Sequence, residues 1–73
     1  MRKMLSERVH EDIRLAVDRA LAQHGSVNIP VLAEEIRKRN ESDNIALEDI
    51  SSELMACAQL RSAVMLFDGN VLN

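Results

Sequence analysis

Few residues in this chain are of a type that does chemistry, and their spacing limits what each can do. His10 and His24 are the two histidines, and Cys57 is the single cysteine. A zinc site needs three or four ligands converging on one point, commonly delivered in pairs one helical turn apart. The histidines are not spaced that way, and no paired ligand accompanies them, so no metal site is expected. A cysteine nucleophile needs a nearby base and an electropositive setting. Cys57 has Ala56, Ala58 and, one turn back, Leu54, and it is expected to pack as a small hydrophobe. Glu34 and Glu35 are adjacent and point about 100° apart on a helix, so they are not held as an acid/base pair. The two glycines, Gly25 and Gly69, are too far apart to form a phosphate-cradling loop. No catalytic residue, cofactor or small-molecule ligand is expected, and the chain does not read as an enzyme.

The one cationic cluster is Arg37-Lys38-Arg39. It falls at the carboxyl end of a helix, where positive charge complements the helix dipole. A phosphate contact is the other use such a cluster could have.

These residues must be positioned by helices. The apolar residues Leu5, Val9, Ile13, Ala16, Val17, Ala20 and Leu21 recur at helical spacing and predict a first helix over 6–24. Ser6 is placed to cap its start and Gly25 to close its end. On its wet side Arg8/Asp12 and Arg14/Asp18 are spaced to pair at i,i+4. Met4, Leu15 and Ala22 form a sparser apolar line opposite the main stripe. The segment Ser26-Val27-Asn28-Ile29 alternates like a minimal strand. Pro30 suits the first turn of a second helix, 30–39, with Leu32, Ala33 and Ile36 inward. After the polar break Asn40 to Asn44, a third helix is expected over 46–61, its apolar face running through Leu47, Ile50, Leu54, Cys57 and Leu60. The tail, Ala63 to Phe67, then Asp68-Gly69-Asn70 and Val71-Leu72, reads as a β-hairpin, because Asp-Gly tolerates the positive φ of a tight turn. Val64 and Phe67 also continue the third helix's stripe, which leaves helix continuation as the alternative.

Seventy-three residues allow one domain, expected over 1–73 with 1–5 frayed. Hydrophobic content of 47% and charged content of 29% are those of a globular chain. Phe67 is the sole aromatic, so the core must come from aliphatic side chains. Net charge of −3 weighs against a generic nucleic-acid binder. The lone Cys57 allows no intramolecular disulfide. No apolar run approaches the roughly 18 residues that span a bilayer, so no membrane association is expected. The basic amino-terminal residues Arg2, Lys3, Arg8 and Arg14 are interrupted by Glu7, Glu11 and Asp12, unlike an acid-poor transit peptide. A cytoplasmic location is the default.

Helix, short strand, Pro-started helix, helix, hairpin is the order of a winged helix-turn-helix domain. Ile29-Pro30-Val31-Leu32-Ala33-Glu34-Glu35-Ile36 resembles that superfamily's second helix. Leu47-Glu48-Asp49-Ile50 through Leu54 resembles the start of its third, and Val64 to Leu72 resembles its wing. The loop from Arg39 to Ile45 is longer than the tight turn of a minimal helix-turn-helix. The resemblance implies a mainly α, three-helix winged-helix-like fold with a short carboxyl-terminal β-hairpin; the alternative is a plain three-helix bundle.

In DNA-binding members the third helix enters the major groove with Arg, Lys, Asn or Gln. Here no Lys or Arg lies between Ala46 and Leu60, while Glu48, Asp49 and Glu53 would repel phosphate. The outward face instead offers Ser52, Met55, Ala56 and Gln59, small and nearly uncharged. That face is expected to meet a protein, either a different chain or a second copy in a homodimer. The alternative function is a nucleic-acid-binding transcriptional regulator using the wing, Arg37, Lys38 and Arg39, and the amino-terminal Arg2 and Lys3.

Overall fold

The computed structural model describes residues 5–67. The first helix, α1, is Glu7–His24. The Ser6 hydroxyl accepts the Val9 N–H at 3.2 Å, satisfying one of the orphan donors of the first turn. At the other end Gly25 takes φ +73° and its N–H reaches the Leu21 carbonyl at 3.0 Å. Both termini lie where the capping residues placed them.

A short strand β1, Ser26–Asn28, leads directly into α2, Ile29–Arg39. The cap of α2 is Asn28, whose Oδ1 accepts the Val31 N–H at 3.4 Å, and Pro30 sits inside the first turn. A 3₁₀ turn over Glu41–Asp43 follows, and Asn44 closes it in the left-handed region at φ +52°. The third helix, α3, is Leu47–Leu60, and the strand β2 is Val64–Leu66.

The stop of α3 at Leu60 decides the tail. Ser62 adopts φ +53°, its N–H bonds the Gln59 carbonyl at 3.0 Å, and the Ala63 N–H bonds the Ala58 carbonyl at 3.0 Å. This pair of bonds is a Schellman motif, with serine at the position glycine usually takes. It turns the chain out of the helix, so the stripe does not continue through Val64 and Phe67 and the plain three-helix bundle is not formed. Val64–Leu66 is extended, as the hairpin reading requires. Within the described residues its partner is β1, in parallel, with Ser26 opposite Val64, Val27 opposite Met65 and Asn28 opposite Leu66. Parallel strands need a long crossover, which α2 and α3 supply. The second strand expected at 71–72 lies outside the described residues.

Among the described residues the architecture is mainly α, with a two-stranded parallel sheet. Its core gathers Val9, Ile13, Ala16, Val17 and Ala20 from α1, Val27 from β1, Ile29, Ala33 and Ile36 from α2, Ile45, and Ile50, Leu54 and Ala58 from α3; Leu5, expected in a frayed end, is buried with them. Leu32, expected inward, is half-buried at the core's edge. Leu47 and Leu60 at the ends of α3 are exposed, not part of the core face. No helix among the described residues is long and apolar enough to cross a membrane.

Candidate functional site

The buried line of α3 is Ile50, Leu54 and Ala58. Residues on either side of that line follow from the 100° step of the helix. Met55 lies about 60° from Ala58 on one flank, and Cys57 about 60° from Leu54 on the other. Both are half-buried and pack against the core. Met55 was expected to point away from the core, and the structure corrects this: the core line drifts towards it as the helix advances from Leu54 to Ala58. Of the expected contact residues, Ala56 and Gln59 are exposed, while Ser52 is half-buried like Met55. The outward face is therefore narrower than the wheel implied, and it tilts towards Leu60, which is 87% exposed.

That tilt opens onto a groove between α1 and α3. Glu7, Arg8, His10, Glu11 and Arg14 form one wall, and Glu53, Ala56, Cys57 and Leu60 form the other, with Ile13 between them. The groove encloses about 750 Å³ and is open to solvent. His10 Nδ1 stands 3.8 Å from the Glu53 carboxylate, and eight residues further along both helices Arg61 pairs with Asp18. The equal offset means that α1 and α3 run in the same direction. Charge is mixed along the groove: Arg8 and His10 stand among Glu7, Glu11 and Glu53, Arg14 pairs with Glu11, and Arg61 at the end of α3 pairs with Asp18.

A second cleft, of about 520 Å³, lies between α1, α2 and β2. Its floor is Ala16, Ala20, Val31, Leu32 and Leu66, and Arg19 and Arg39 stand on its rim.

The basic cluster is largely committed within the fold. Arg37 donates two hydrogen bonds to Glu34, both at 3.1 Å. Side-chain hydrogen bonding to Glu34 raises the Arg37 pKa, and the same contact lowers that of Glu34. Arg39 donates to the two Asp12 carboxylate oxygens at 3.2 and 2.8 Å. Lys38 between them is exposed. Arg2 and Lys3 lie outside the described residues, as does the expected wing beyond Phe67.

The ion pairs expected along α1 are replaced by others. Asp12 meets Arg39 and Asn40 instead of Arg8, Asp18 meets Arg61 instead of Arg14, and Arg14 pairs with Glu11. A one-turn pair on an exposed helix is worth only a few tenths of a kcal/mol, so tertiary partners easily outcompete it. Asn40, read as part of a polar break, is the one buried polar residue among those described, at 3% exposure. Its Nδ2 donates to Asp12 and to the Ile36 carbonyl, both at 2.9 Å. No spacing signal could have found that contact, since its partners come from two helices.

His10 and His24 do not come together, and among the described residues no group of three His, Cys, Asp or Glu side chains converges on a metal-sized point. Cys57 lies in the groove wall, half-buried. Comparison of the chain with models of known protein families, with curated proteins and with solved structures finds no match.

Proposed function

We propose that the chain is a cytoplasmic, non-catalytic, winged-helix-like module that binds another protein surface through the outward flank of α3, centred on Ala56, Gln59 and Leu60. The observation that carries this reading is Leu60. A leucine 87% exposed on the rim of an apolar-floored groove gains most by being covered. Burying a leucine side chain is worth about 1.5–3 kcal/mol. The order α1, β1, α2, α3, β2 supports the winged-helix-like part.

Nucleic-acid binding is the weaker reading on charge. Phosphate contacts need free cations. Arg37 and Arg39 are held by Glu34 and Asp12, α3 carries no Lys or Arg, and Glu48, Asp49 and Glu53 crowd its amino-terminal half.

A photo-crosslinking residue at Gln59, compared in living cells with one at Lys38 on α2, tests the proposal. Protein adducts are expected at Gln59 and not at Lys38. Adducts to nucleic acid, or equal yields at the two positions, would overturn it.

A further inference from the structure

We draw no further inference here: the strongest candidate, the apolar-floored cleft between α1, α2 and β2, has the Glu35 carboxylate on its rim together with Arg19 and with an Arg39 already committed to Asp12, and nothing in the structure shows what covers it.

Discussion

Asp12 on α1 receives Arg39 from the end of α2, with guanidinium-to-carboxylate distances of 2.8 and 3.2 Å across 27 positions of sequence. The same carboxylate takes a third hydrogen bond from Asn40 at 2.9 Å. Burial by itself would raise the Asp12 pKa. The hydrogen bonds from Arg39 and Asn40, with the charges of Arg39 and Arg19, outweigh it and hold the carboxyl below its ordinary value. The pair thus fastens α2 to α1 in a pH-dependent way.

The sign follows from linkage. A carboxyl whose folded pKa lies below its unfolded value, about 3.9, contributes stability above that pH and loses it as pH falls through the folded value. Asp12→Asn is expected to cost about 1–2 kcal/mol at pH 7. The gap between parent and variant should close progressively below about pH 4. Urea denaturation at a series of pH values checks this, and a gap independent of pH would refute it.

Asn40 is buried and satisfied by two acceptors. Asn40→Ala removes two hydrogen bonds, while the Ile36 carbonyl keeps the backbone N–H of residue 40 and Asp12 Oδ2 keeps Arg39 Nε; the expected cost is about 1–3 kcal/mol. Thermal melting measures it. Combined with Asp12→Asn, the loss should be less than additive, because the two residues share one network.

Along α3, the position of a residue sets its cost. Ile50 is fully buried, and Ile50→Ala is expected to lose about 2–5 kcal/mol as a cavity substitution. Met55→Lys should destabilise the fold as well, since Met55 packs on the core edge and would have to carry a charge there. Leu60→Ala should stay within about 0.5 kcal/mol for the monomer. Chemical denaturation of the three variants, at concentrations where the chain is monomeric, ranks them.

Two backbone positions carry opposite predictions. Ser62 sits at φ +53°, where a side chain is disfavoured, so Ser62→Gly is expected to stabilise by about 0.5–1 kcal/mol. Gly25 sits at φ +73° with nothing within 4 Å of an added Cβ, so Gly25→Ala meets no clash and loses only the conformational term, about 1 kcal/mol. Shifts in denaturation midpoint without a change in slope are the expected signature.

The sequence by itself determined the helices. Ser6, Gly25 and Pro30 act on backbone groups within one turn of themselves, and the apolar periodicity of α1 is a property of one segment. Local causes leave local marks, and so the termini of all three helices could be read to within a residue or so. Tertiary structure decided what those helices do to one another. Whether Val64–Leu66 pairs with a neighbouring segment or with β1 depends on where α2 and α3 deliver it, since strand pairing is a non-local choice. Asp12 and Asp18 had acceptable partners within one turn, yet they bind Arg39 and Arg61, because packing brought other guanidinium groups within reach. The outward face of α3 runs towards Leu60 and away from Met55 because Met55 packs against the core. A helical wheel gives the angle of each side chain, but the neighbouring helices determine which angles are covered.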